Sequence, residues 1–235
     1  MTKAPELPWL TMAATCYRAM FQDCTGLTTP PALPATTLAG HCYREMFKGC
    51  TGLTTPPALQ ATTLANYCYN EMFNGCTSLT TAPVLAGMTM TSYGYSGMFA
   101  NCTSLTTPPA LPATTLADNC YRGMFLNCTA LTTAPALPAL TMMTDCYREM
   151  FEGTNLVVSV VLPATTLAAT CYRGMFRDSG VKEIEVGFSA WAPDNATTVW
   201  VYGVPGGGTF KCPSALPVET GDSRIPSSWT VVNTD

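Results

Sequence analysis

The dipeptide Met-Phe begins at residues 20, 46, 72, 98, 124, 150 and 175, and this spacing limits the possible folds more than any other feature. Five of the intervals are 26 residues and the last is 25. The first copy, LPWLTMAATCYRAMFQDCTGLTTPPA, runs from Leu7 to Ala32, and the fifth, LPATTLADNCYRGMFLNCTALTTAPA, from Leu111 to Ala136. A fixed period of this length marks stacked repeats, each too small to bury its own apolar face. The expectation is a repeat solenoid of seven copies over 7–189, followed by a β-rich C-terminal cap over 190–235 that breaks the pattern.

Each copy has two legible parts. In Cys42-Tyr43-Arg44-Glu45-Met46-Phe47-Lys48-Gly49-Cys50 the apolar residues Cys42, Met46 and Cys50 fall at i, i+4 and i+8, with Tyr43 and Phe47 on the next stripe. That pattern predicts a short amphipathic helix with Arg44 and Glu45 facing water. Its stop signal is the residue before the second Cys slot: Asp23, Gly49, Gly75, Asn101, Asn127, Gly153 or Asp178. All three residue types tolerate the left-handed backbone that closes a helix. The second part is extended: Leu53-Thr54-Thr55 reads as a very short strand ended by Pro56 and Pro57, which cannot donate to a ladder. Copy six shows the strand openly as Leu156-Val157-Val158-Ser159-Val160-Val161-Leu162. The fold class expected is therefore an α/β repeat of leucine-rich type, one short strand and one short helix per copy.

Composition narrows the function. Charged residues make 11% of the 235, against roughly 25% in an ordinary domain, and 38 Thr cover much of the surface instead. A formal net charge of −4 leaves no basic footprint for nucleic acid. No apolar run approaches the roughly 20 residues of a membrane helix, and the start, Met1 to Pro8, lacks the apolar core of a secretory signal. A single histidine, His41, weakens most Ser-His, Cys-His and His-metal chemistries, and the seven copies hold no catalytic constellation. Eleven of the twelve Cys fall into two slots per copy, only Cys212 lies outside, and no C-x-x-C occurs. The spacing favours reduced, buried thiols used for packing over zinc or disulfides.

The motif M-F-x-x-C-[TS]-x-L, as in Met98-Phe99-Ala100-Asn101-Cys102-Thr103-Ser104-Leu105, resembles the BspA-like leucine-rich repeats of bacterial surface proteins, in the short form common in gut Bacteroidales. The tail also resembles the ends of tail-fibre-like proteins of phages infecting those bacteria. The resemblance implies a leucine-rich-repeat solenoid exposed outside the cell or on a bacterial surface, engaged in adhesion or in binding a protein or glycan, and it implies no enzyme and no cofactor. The alternative it implies is a virion structural or receptor-binding protein.

Two side-chain rows are candidate binding residues. Arg18, Arg44, Arg122, Arg148 and Arg173 share one slot, with Asn70 and Ser96 completing it, and could form a basic stripe. Tyr17, Tyr43, Tyr121 and Tyr147 belong to a tyrosine ladder expected on a flank, with each hydroxyl reaching water. The Thr-Thr pairs, adjacent in sequence, are expected to point to opposite faces, which argues against ice binding. The first copy begins at Leu7 with no cap of its own, so that end is expected to dock on another domain or subunit.

Overall fold

A computed structural model describes residues 1–8, 10–87, 89–191 and 195–235. Four strands form one parallel sheet in chain order: β1 (Val160–Leu162), β2 (Glu183–Val186), β3 (Thr209–Cys212) and β4 (Thr230–Asn233). Val160 pairs with Ile184, Ile184 aligns with Phe210, and Phe210 with Val231, so buried Val160, Ile184 and Phe210 stack from strand to strand and end on half-buried Val231. In the earlier copies pairing shrinks to isolated parallel bridges, such as Thr11 to Thr37, Thr37 to Thr63, and Thr81 to Thr107, each linking equivalent positions 26 residues apart. The difference follows from proline. Copies with Pro30-Pro31, Pro56-Pro57 or Pro108-Pro109 lack the donors that a ladder needs, whereas copy six has Ser159-Val160 there and carries β1. Isolated bridges impose no pleat. Thr36 and Thr37, expected on opposite faces, are accordingly both exposed, as are Thr62 with Thr63 and Thr114 with Thr115.

The expected helix is absent: no described residue is helical, and the segment takes another form in every copy. In copy three the even-numbered amides bond back three residues, Asn70 N–H to the Tyr67 carbonyl (3.3 Å), Met72 to Tyr69 (3.2 Å) and Asn74 to Glu71 (3.2 Å). The odd-numbered amides leave the segment and bond the next copy, Tyr69 N–H to Gly94 (3.1 Å), Glu71 to Ser96 (2.9 Å), Phe73 to Met98 (2.9 Å) and Gly75 to Ala100 (2.8 Å). The ribbon is thus a chain of overlapping turns that also pairs sideways like a strand. Every fourth residue is left-handed: Tyr67 (φ 60°), Glu71 (φ 53°) and Gly75 (φ 77°). The third of these positions is the one read from sequence as Gly, Asn or Asp, and it has positive φ in all seven copies. It closes no helix there; it aims an amide at the neighbouring copy. A left-handed non-glycine residue costs roughly 1–2 kcal/mol, so a lone copy would not hold this shape, and the neighbour's carbonyl row holds it instead.

Side chains follow the four-residue rhythm. Cys42, Tyr43, Met46, Phe47 and Cys50 turn inward and are fully buried, while Arg44, Glu45 and Lys48 line the outside. Phe21, Phe47, Phe73, Phe99, Phe125, Phe151 and Phe176 form one continuous ring stack, with centroids 5.6 to 6.0 Å apart. This lies within the favourable range for offset aromatic pairs. All twelve cysteines are free thiols. Four of the five in the second slot also donate: Cys50 Sγ to the Phe21 carbonyl (3.0 Å), Cys76 to Phe47 (3.1 Å), Cys102 to Phe73 (3.1 Å) and Cys128 to Phe99 (3.0 Å). Thr154 keeps a donor in that slot through its hydroxyl, bonded to the Phe151 carbonyl at 2.7 Å.

The turn ladder runs on into the tail. Tyr172, Gly174, Phe176 and Asp178 donate to the carbonyls of Ala196, Thr198, Trp200 and Tyr202, and Asn195, Val199 and Gly203 are left-handed in the usual rhythm. Beyond this, Val201 N–H bonds the Asp222 carbonyl, and three indole N–H groups each find a carbonyl: Trp191 to Pro217, Trp200 to Arg224 and Trp229 to Pro205. Buried Trp200 packs on Phe176 and Phe210, ending the ring stack in a small aromatic core.

Candidate functional site

The left-handed turns put three slots of each copy on one outer face. The first holds Thr15, His41, Tyr67, Tyr93, Asn119, Asp145 and Thr170. Three residues on is the arginine slot, followed by the slot of Glu45, Glu71, Gly97, Gly123 and Glu149. Arginine fills the second slot in five of the seven copies, and glutamate fills the third in three of them. The middle copies differ: Asn70 and Ser96 replace arginine, Gly97 and Gly123 replace glutamate, and Ala100 replaces Lys48. The outcome is a trough of about 370 Å³ sunk into the row. This falls in the usual range of ligand sites.

The floor is fixed by bonds to the next copy. Asn70 Nδ2 donates to the Ser96 carbonyl (2.9 Å) and Ser96 Oγ to the Arg122 carbonyl (3.3 Å), so both side chains lie flat and buried. The ends are charged and internally paired. Arg44 bonds Glu45 (3.1 Å) and lies over the Tyr67 ring at 5.8 Å, while Arg122 meets Glu149 at 3.8 Å. Glu71 accepts from Lys48 and from Asn74 Nδ2. One wall is aromatic: half-buried Tyr67 and Tyr93 line it with centroids 4.5 Å apart, continuing a stack that begins outside the trough at His41, 4.6 Å from Tyr67, and Asn119 takes the next slot.

The residues singled out from sequence divide. Arg44 and Arg122 line the trough; Arg18 sits outside it with its guanidinium 3.6 Å from Glu45, Arg148 is held by Asp145 (3.4 Å) and Glu149 (3.0 Å), and Arg173 is exposed farther along. The basic stripe is therefore largely neutralised by its own row of acids. The tyrosine ladder is not on a flank: Tyr43, Tyr121 and Tyr147 are each 1% exposed, stacked within the core, and Tyr17 is half-buried at its end. The four-residue rhythm sends the residue after the first Cys inward, and the hydroxyls of Tyr17 and Tyr43 are buried without a partner. The aromatic row that does reach the surface is His41, Tyr67 and Tyr93, two positions earlier. Its 26-residue spacing was visible in the sequence, but Thr15, Asn119, Asp145 and Thr170 share the slot, so it does not read as an aromatic row along the chain.

Among the described residues no group of three or more His, Cys, Asp or Glu could hold a metal ion, and no helix is long and apolar enough to cross a membrane. No family model, no curated protein and no solved structure matches this chain.

Proposed function

We propose that the protein is a non-catalytic repeat scaffold, a solenoid closed by its C-terminal tail, that binds a protein or glycan ligand on a bacterial surface. The observation that carries this reading is the trough: a built depression where the repeat drops its charged side chains in adjacent copies. Stacked repeats present extended faces for such contacts. A non-catalytic role is supported by the thiols, whose burial holds them protonated, and by the ion pairs that already occupy the trough's acids and bases.

The test restores the repeat's own residues. The double variant Asn70→Arg/Ser96→Arg fills the trough with the arginine that neighbouring copies carry, at a cost of about 1–3 kcal/mol for two lost side-chain bonds. Both proteins are screened against arrays of glycans and extracellular proteins, with thermal melts as a folding control. The expected result is binding by the parent and its loss in a still-folded double variant. Equal binding by both, or none by the parent, would refute the reading.

A further inference from the structure

We infer that the trough takes an uncharged oligosaccharide laid along the stack from Arg44 towards Glu149, an inference that rests on the trough being a binding site. Three properties of the walls select this class of ligand.

The first is charge. The two guanidinium groups and the two carboxylates at the rim are already paired, Arg44 with Glu45, Arg122 with Glu149, and Glu71 with Lys48. An anionic or cationic ligand gains little net attraction from charges that already face a partner of opposite sign. A neutral polyol still finds partners, because a guanidinium carries five N–H donors and a carboxylate about four acceptor sites, more than the pairs consume.

The second is backbone saturation. A bound peptide gains much of its affinity by adding a strand to a sheet edge. Here Glu71 and Phe73 N–H already bond Ser96 and Met98, and Gly97 and Phe99 N–H bond Arg122 and Met124. The trough offers no free ladder, and its floor of Asn70, Ser96 and the two glycines has no deep apolar pocket for an anchor side chain. Recognition must run through side-chain hydroxyl, amide and ionic groups, which suits a chain of hydroxyls.

The third is the aromatic wall. Tyr67 and Tyr93 stack on each other, so they meet the trough by their edges, and their phenol hydroxyls make no hydrogen bond among the described residues. They supply two donor–acceptor groups in register, one per copy, in line with the copy-by-copy rise of the stack.

The test uses a printed array carrying neutral gluco-, manno-, galacto- and xylo-oligosaccharides beside heparin fragments, oligogalacturonates, chitosan oligomers and extracellular proteins. The parent is compared with Tyr67→Phe/Tyr93→Phe and with Asn70→Arg/Ser96→Arg, and hits are titrated at low and high salt. The expected result is binding to a neutral oligosaccharide that is nearly unchanged by salt. It should weaken about threefold to tenfold per phenol hydroxyl removed and be lost in the arginine variant. Salt-sensitive binding to heparin, oligogalacturonate or chitosan alone would overturn the inference while leaving a binding trough. So would a protein hit abolished by the arginine variant. Binding that survives the arginine variant, or no binding to any probe, would overturn both.

Discussion

Raising the pH from 9.0 towards 11 is expected to unfold the protein in one cooperative step. Burial pushes the Cys42, Cys120 and Cys128 thiols up to about 12 and those of Cys50, Cys68 and Cys171 up to about 11, from an ordinary 9.0. The stacked phenols of Tyr69, Tyr121 and Tyr147 are also raised, for the same reason. Between 9.0 and those values the unfolded chain has released protons that the folded chain keeps. The stabilisation is fully present below 9.0 and is lost as the pH rises. Each such thiol steepens the loss by about 1.4 kcal/mol per pH unit, and a folded domain holds only about 5–15 kcal/mol in total. Several titrating together exhaust that within about two pH units. Far-UV circular dichroism and thiolate absorbance followed against pH should therefore change together. Thiolate growing smoothly at unchanged dichroism would contradict this packing of the cysteines.

The second large effect is expected from Phe99→Ala. The ring is fully buried between Phe73 at 5.7 Å and Phe125 at 5.9 Å. Truncation removes its transfer energy and leaves a cavity that rigid neighbours cannot close, a loss of about 3–5 kcal/mol. Because each copy meets only its neighbours, a mid-stack deletion weakens two interfaces at once. Phe21→Ala, at the end of the stack with Phe47 on one side only, should cost roughly half as much. Denaturant melts of the two variants check this. A loss under about 1 kcal/mol at Phe99, or equal losses at both sites, would show that the rings do not carry the stack.

The period, the inward residues and the reduced cysteines were legible because they recur. Cys42, Met46, Phe47 and Cys50 are core residues in either conformation. The conformation itself was not legible from that pattern. Over nine residues, positions i, i+4 and i+8 fit a period of 3.6 as well as one of 4.0, so the spacing alone does not separate a helix from a chain of turns. The Gly, Asn or Asp at Gly49, Asn101 and Asp178 marked a left-handed residue correctly, but it looked like the end of a helix. The signal against a helix lay four residues earlier. Gly97, Gly123 and Gly174 occupy a second left-handed slot, in the middle of what a helix would have been. Residues such as Tyr67 and Glu71 at positive φ carry no local cue, since the neighbouring copy imposes that backbone.

The most direct measurement of the account is scalar coupling across backbone hydrogen bonds by nuclear magnetic resonance. The turn ladder predicts coupling from the Phe73 amide nitrogen to the Met98 carbonyl and from Glu71 to Ser96, with Met72 coupled to Tyr69. Coupling from Phe73 to Tyr69 and from Gly75 to Glu71 would instead mark an α-helix, and would contradict both the ladder and the trough built on it.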